Sequence, residues 1–187
     1  PAGPGLSRLA PRGRREYTGT MSTDPRWLEG HFLISEADLA DPNFQRTVVL
    51  IINHNADGAF GLVVNRRLPV TLGEAVPDLA STSVAGAVLY YGGPVQPQFL
   101  FCLHSGLPEE VRSPHASTPV ENVLFEPLVS SMTGYLVETW GALEEHQRPP
   151  VRLYAGYSGW APGQLESELE RSSWIVRPAA AKHIFHP

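Results

Sequence analysis

The chain has 187 residues, of which 42% are hydrophobic, and its formal net charge is −5. That length is sufficient for one sizeable core and short for two, so we expect a single domain. Residues 1–20 carry a net charge of +3 and residues 21–187 a net charge of −8. The net negative charge of residues 21–187 disfavours direct binding to nucleic acid or to an anionic membrane.

The first 20 residues are rich in Pro, Gly and Arg and lack apolar periodicity. We interpret residues 1–21 as a disordered extension, with Met21 as a candidate start, and residues 22–187 as the domain. An Arg-rich segment with one acidic residue also resembles an organellar transit peptide, which is the minority alternative. No apolar run has the length of a membrane span, and a cytoplasmic location is the simplest expectation.

A predicted strand at His31–Ser35 leads to a β-hairpin that the rest of the chain surrounds. Its strands are predicted at Val48–Ile52 and Leu62–Val64, on either side of a turn signal at residues 53–58. The first run is continuously apolar, without the alternation of a half-exposed strand. This pattern predicts strands covered on both faces, so we expect the hairpin in the middle of a sheet.

The second half of the chain alternates β-rich runs with helical patterns. Thr71 and Glu74 have the spacing of a capping box and predict a short helix. Pro127 indicates that its strand lies at an edge, and residues 105–119 look irregular. Further strands are predicted at 85–91, 98–104, 122–129, 151–157 and 174–176, and helices at 135–143 and 162–172. The order indicates an α/β fold of the α+β kind: a mixed, largely antiparallel sheet flanked by helices.

The stretch from Gly156 to Glu166 connects a predicted strand to a predicted helix. Its glycines permit a tight turn under Trp160, and this structural interpretation is the favoured one. The alternative is that backbone N–H groups at residues 161–163 bind an anion at the helix start. Ser158 lacks the glycine spacing of a nucleophile elbow, because Trp160 stands where that motif needs glycine.

Other reactive side chains give no firm chemical signal. Cys102 lies within an apolar run, as expected for an inert core thiol, and His183 and His186 lack further metal ligands nearby. His54 could act as a base or ligand, although a histidine at a turn more often bonds local backbone. We therefore assign no catalytic residue, metal ligand or cofactor.

Four blocks carry a family resemblance: GHFLISEADLADPNF, HNADGAFGLVVNR, YYGGPV and GYSGWAPGQLE. In this order they resemble the signature blocks of the YqgE/AlgH family of bacterial proteins. The resemblance spans about residues 28–176 and implies one α/β domain with a largely antiparallel sheet. Some family members are labelled transcriptional regulators, linked to alginate production. The family's activity is not established, so the resemblance implies no reaction.

The polar and Gly-rich motifs fall at predicted strand ends, where binding residues tend to collect. We therefore expect a small binding or regulatory protein, with a small-molecule ligand, nucleotide-like or otherwise anionic, or with a protein partner. The alternatives are a hydrolase for a phosphorylated or nucleotide-like substrate, with His54 as base, and a direct DNA-binding regulator. The predicted ligand-binding residues are His54, Asn55, Gly58, Asn65, Gly92, Gly93, Pro94, Gly156, Tyr157, Gly159, Trp160, Gly163, Gln164 and Glu166.

Overall fold

The computed structural model of the protein describes residues 27–36 and 41–185. The predicted extension, residues 1–21, lies outside the described residues. The strands are β1 His31–Ser35, β2 Val48–Asn55, β3 Gly58–Val63, β4 Arg67–Thr71, β5 Val88–Tyr91, β6 Val95–His104, β7 Ser117–Val120, β8 Val123–Pro127, β9 Val151–Trp160 and β10 Trp174–Pro178. The α-helices are α1 Leu72–Ala75, α2 Ser130–Glu138, α3 Gln164–Glu170 and α4 Ala181–Phe185, and short 3₁₀ turns lie at Pro77–Leu79, Glu109–Val111, Trp140–Ala142 and Glu145–Gln147.

The ten strands form one sheet with the order β10-β1-β2-β3-β9-β6-β8-β7, and β5 and β4 branch from β9. Strand β5 runs parallel to β9, and all other described pairs are antiparallel. The predicted fold class is confirmed: a mixed, largely antiparallel sheet with helices packed on it. None of the helices in the described part of the chain has the length and apolar character that a bilayer crossing requires.

The hairpin β2–β3 lies in the middle of this order, as the sequence predicts. Leu50 and Leu62 belong to one buried cluster, whereas Val49 and Val63 belong to another on the opposite face. A third cluster packs α1 and α2 against β5, β6 and β9, around Leu89, Met132 and Leu153. Burial on both faces explains why the β2 sequence is continuously apolar instead of alternating.

Strand β9 organises the site region because one of its edges pairs with two different strands. Its carboxyl half, at Ser158–Trp160, pairs with β3, whereas Leu153–Ala155 pair with β5 on the same edge. The other edge of β9 pairs with β6 along most of its length. Residues 152 and 160 are thus separated by roughly 25 Å along one strand, and each end has its own set of polar neighbours.

Several predicted boundaries need correction. His54, Asn55 and Gly58 lie in β2 and β3 and not in the turn, because pairing continues to Asn55↔Gly58. Residues Gly156–Trp160 belong to strand β9 and not to a loop. Pro127 ends a strand that lies between β6 and β7, so its strand is not at an edge. The irregular stretch 105–119 contains the start of β7, and β4 contains Pro69.

Candidate functional site

The predicted ligand-binding residues gather around the carboxyl half of β9. His54 pairs with Ala59 on β3, and Ala59 pairs with Trp160 on β9. Gly92 reaches the same region, where its carbonyl accepts hydrogen bonds from the Val63 N–H (2.8 Å) and the Ser158 hydroxyl (3.1 Å). The motif blocks therefore meet in space, although they are far apart in sequence.

Glycine at these positions is explained by close backbone contacts. A Cβ on Gly92 would collide with the Gly156 carbonyl oxygen, and a Cβ on Gly93 would collide with the Tyr157 backbone. Gly58 is equally restricted, since a Cβ there would meet the Trp160 carbonyl oxygen. Gly93 also has φ +154°, a conformation that side-chain-bearing residues rarely adopt. These three glycines therefore have a packing explanation that needs no ligand.

His54 is buried and both ring nitrogens are occupied. Nδ1 accepts a hydrogen bond from the Leu28 N–H at 3.2 Å, which makes Nε2 the protonated nitrogen that donates to Glu166 Oε1 at 3.1 Å. The Trp27 ring stands edge-on at a centroid distance of 5.0 Å. His54 does reach the start of α3, as the hydrolase alternative requires. However, it has no free nitrogen to accept a proton from a substrate.

The turn before α3 uses its polar groups internally. The Ala161 N–H donates to Gln164 Oε1 at 3.1 Å, and the Gln164 amide donates to Glu168 Oε1 at 2.9 Å. The indole N–H groups of Trp160 and Trp174 both donate to Glu168 Oε2, at 2.9 and 2.8 Å. These bonds fix the loop. The carboxylates of Glu166 and Glu168 bring negative charge to the start of α3, which disfavours the anion site that the sequence offered as an alternative there.

The remaining predicted residues have separate positions. Asn65 joins two strands: its Oδ1 accepts from the Val48 N–H (2.9 Å) and its Nδ2 donates to the Arg46 carbonyl (3.0 Å). Asn55 Oδ1 accepts from the Asp57 N–H at the hairpin turn. The Tyr157 ring packs on Phe60, and Gly159, Gly163 and Pro94 are exposed. Ligand contact by this group of fourteen residues stays a prediction.

A cavity lies at the opposite end of β9. Its volume is about 290 Å³. Strand β5, which carries Tyr90, lies between β4 and β9. Arg67 on β4 and Arg152 on β9 therefore flank Tyr90 from the two neighbouring strands. The lining residues are Arg67, Val84, Ala87, Val88, Tyr90, Leu136, Trp140, Val151, Arg152, Leu153 and Phe185.

Arg152 is the unusual member of this lining, because it is a cation with only 8% of its surface exposed. Its Nη1 donates to the Val64 carbonyl at 3.1 Å, and its guanidinium carbon lies 4.6 Å from the Tyr90 ring centroid. The guanidinium carbon of Arg67 lies 5.9 Å from the same centroid. Among the described residues, no carboxylate forms an ion pair with either arginine.

Tyr154 lies behind Arg152 on the same face of β9. Its hydroxyl is buried close to the Arg152 guanidinium, although the two groups do not form a hydrogen bond of normal geometry. Burial raises the pKa of Tyr154, and the neighbouring Arg152 charge opposes that rise. The phenol is therefore neutral at physiological pH and does not compensate the positive charge of Arg152.

A second buried polar group lies at β6 and β8. His104 Nε2 lies 2.7 Å from Glu126 Oε1, and Glu126 Oε2 accepts a hydrogen bond from the Ser113 N–H. Cys102 is fully buried beside them, and burial together with the Glu126 charge raises the pKa of its thiol. This is the inert core thiol that the sequence predicts. Among the described residues, no three His, Cys, Asp or Glu side chains form a metal-binding group.

The cavity residues are not predicted as a site from the sequence. One signal was present: Arg152 interrupts the apolar β9 run between Val151 and Leu153, where a lone cation is costly to bury. Arg67 has no local pattern that indicates a site. Its approach to Tyr90 depends on the pairing of β4 with β5, which no local pattern reveals.

Comparisons with known proteins agree with this fold. A family model described as AlgH-like matches residues 32–187. A Rhodococcus opacus protein named only as a UPF0301 protein is 35% identical over 175 residues, covering 90% of this chain and 80% of the relative. A Myxococcus xanthus protein of the same name is 38% identical over 155 residues, covering 81% and 79%.

Two solved structures are also similar. The solution structure of the AlgH protein from Pseudomonas aeruginosa aligns with a TM-score of 0.70 at 29% identity, covering 89% of this chain and 85% of that one. A crystal structure of a Corynebacterium diphtheriae protein aligns with a TM-score of 0.63 at 26% identity, covering 86% and 80%. None of the names of these four proteins states a ligand or reaction.

Proposed function

This chain belongs to the AlgH-like family, and we propose that it is a binding protein whose cavity takes a small anionic ligand at Arg67 and Arg152. The observation that supports this is the burial of Arg152 in the cavity wall without a carboxylate partner among the described residues. Buried charges in proteins are normally paired. A bound anion would supply the missing partner.

The electrostatic setting favours a specific site over a general basic surface. The chain has a net charge of −5, so anions are repelled from most of it, whereas two guanidiniums converge on Tyr90 in one cavity. Arginine matches carboxylate and phosphate groups through its planar fork of donors. An enclosed guanidinium is also less screened than an exposed one. The cavity therefore offers one attractive position on an acidic molecule.

Regulation would follow from this binding and not from DNA contact. Helix α3 carries Glu166, Glu168 and Glu170 among its seven residues, and acidic helices repel the phosphate backbone. Under this proposal, any effect on transcription passes through a protein partner that distinguishes the ligand-bound form.

The direct test is an NMR titration of the ¹⁵N-labelled protein with sodium phosphate and, separately, sodium acetate, at constant ionic strength. We expect saturable shifts at the Val88–Tyr90 and Val151–Leu153 amides. Arg152→Met should weaken binding at least about tenfold, because a charge-assisted hydrogen bond contributes roughly 1.5–3 kcal/mol.

Arg177→Met is the matched control. Arg177 is an exposed arginine on the edge strand β10, so its loss changes the net charge equally and should leave binding unchanged. An equal loss in both variants would mean that the anion senses only overall charge. The absence of saturable shifts at millimolar anion concentrations would refute the proposal. Shifts confined to His54, Gly92 and Gly163 would show that the anion binds at the motif residues and not in the cavity.

A further inference from the structure

His54 connects three parts of the fold through one buried side chain, which is 3% exposed. The residue lies in β2, accepts a hydrogen bond from the Leu28 N–H just before β1, and donates one to Glu166 on α3. The Trp27 ring stands edge-on to the imidazole at a centroid distance of 5.0 Å. The entry to β1, residues 27–28, is therefore held by a histidine, the residue type whose charge ordinarily changes between about pH 5 and 8.

The two ring nitrogens of His54 respond differently to protonation. Only a ring without a proton on Nδ1 can accept the Leu28 N–H, which lies 3.2 Å away. A proton on Nδ1 turns this acceptor into a donor, so that two N–H groups face each other. The Nε2–H bond to Glu166 persists in the imidazolium and gains charge-assisted attraction. Protonation therefore breaks the contact with the entry to β1 and strengthens the contact with α3.

The charged surroundings of His54 decide which form of the ring is favoured. Glu166 is 44% exposed and lies 3.1 Å from Nε2, and its negative charge favours the imidazolium. Ala59 on β3 and Trp160 on β9, the next residues across the sheet, are uncharged. The other titratable groups on the elements around the ring are Glu29 and His31 beside Leu28, Asp57 in the hairpin turn, and Glu168 and Glu170 on α3.

We propose that His54 is a pH-sensitive latch for the entry to β1. The neutral ring holds the Leu28 amide, whereas in acid the imidazolium keeps Glu166 and releases Leu28. Leu28 packs on the second core cluster, so its release uncovers part of that cluster. The opening ends at Gly30, because the Gly30 N–H donates to the Ile51 carbonyl at 3.0 Å and does not involve the histidine ring. The latch does not depend on anion binding at Arg152, which lies at the other end of β9.

The test is amide hydrogen exchange of the ¹⁵N-labelled protein, followed by NMR between about pH 8 and about pH 5. Each rate is compared with the intrinsic rate at the same pH, which gives a protection factor. The protection factor of the Leu28 amide should fall roughly 2- to 10-fold in acid, the effect of losing one hydrogen bond. The fall should coincide with the titration of the His54 ring nitrogen signals, and the Gly30 amide, as the internal control, should keep its protection.

Three variants separate His54 from its neighbours. His54→Gln cannot titrate, so protection of Leu28 should no longer depend on pH. Glu166→Gln removes the charge that favours the imidazolium, so the transition should move to lower pH. Glu29→Gln is the matched control: burial raises the pKa of Glu29, and the transition should persist when this carboxyl group is removed. If His54→Gln does not fold, the ring signals of the wild type and the Glu166→Gln shift decide the question.

The outcomes are distinct. Coincident transitions of the His54 ring and the Leu28 amide, moved to lower pH by Glu166→Gln, support the latch. Titration of the ring with unchanged protection of Leu28 overturns it, as does a ring that stays neutral throughout the pH range. A pH response of Leu28 that persists in His54→Gln, or disappears in Glu29→Gln, assigns the response to another group and also overturns the proposal.

Discussion

At the residue scale, the glycines of the motif blocks are constrained by backbone contacts. The amide of Gly92 donates to the Ala155 carbonyl at 2.9 Å, and its own carbonyl accepts from Val63 and Ser158. This junction joins β3, β5 and β9 where β9 changes partners. A side chain there would separate strands whose backbones are in contact, so the requirement for glycine is steric.

Gly93→Ala tests this requirement. The added methyl would collide with the Tyr157 backbone at a positive φ, and we expect a loss of unfolding free energy of about 3 kcal/mol or more, since strain and overpacking add. Urea denaturation measures it. Gly134→Ala in α2 is the control, because nothing lies near its Cβ position, and it should stabilise by roughly 0.5–1 kcal/mol. A loss below about 1 kcal/mol for Gly93→Ala would contradict the steric explanation.

At the residue scale, few of the side-chain contacts could be predicted from the sequence. The prediction that His54 bonds local backbone is wrong, because Nδ1 accepts from the Leu28 N–H, 26 positions away. The Glu166 partner of His54 could not be derived, because 112 positions separate the two residues. The burial of Arg152 was not predicted either, because an arginine between Val151 and Leu153 equally fits the alternation of a half-exposed strand.

At the scale of elements, α3 is held by its apolar side, Leu165 and Leu169, and by the Glu168 carboxylate. Leu165 is 1% exposed in the second core cluster, and Glu168 accepts both indole N–H bonds from Trp160 and Trp174. A seven-residue helix is too short to be stable alone. Tertiary packing therefore decides whether α3 forms and keeps Glu166 against His54.

Leu165→Ala should lower the unfolding free energy by about 2–5 kcal/mol, the usual range for a fully buried leucine. The measurement is again urea denaturation, with the His54 side-chain NMR signals as a local probe of α3 docking. Glu170→Ala, an exposed position on the same helix, should change stability by no more than about 0.5 kcal/mol. Equal effects of the two substitutions would show that α3 is not held by its apolar side.

The elements themselves were largely predictable, and their ends were not. The capping box at Thr71 and Glu74 is present, because both partners are local. Residues 53–58 resemble a long turn, yet cross-strand pairing extends β2 to Asn55 and leaves only Ala56 and Asp57 between the strands. Pro127 predicted an edge strand, but as the last residue of β8 it is tolerated inside the sheet. Tertiary pairing determined each of these differences.

At the scale of the whole molecule, the continuous apolar run of β2 correctly placed the hairpin at the sheet centre, and the family resemblance correctly gave the fold. The parallel pairing of β5 with β9 was not predictable, because the connection between them spans three strands and α2. That pairing creates the cavity. Local patterns could therefore indicate the motif cluster at one end of β9, whereas the cavity at the other end required the structure.

The central claim is that Arg152 is a buried cation whose partner is a bound anion. The most direct measurement is thermal unfolding of the wild type and of Arg152→Met across a range of sodium phosphate concentrations at constant ionic strength. In the absence of phosphate, replacing the unpaired cation with a similar apolar side chain should leave the two unfolding free energies within about 1 kcal/mol. At one hundred times the wild-type dissociation constant, phosphate should stabilise the wild type by about 2.7 kcal/mol and the variant, which binds at least about tenfold more weakly, by no more than about 1.4 kcal/mol. Equal stabilisation of both proteins, or of neither, would contradict the claim.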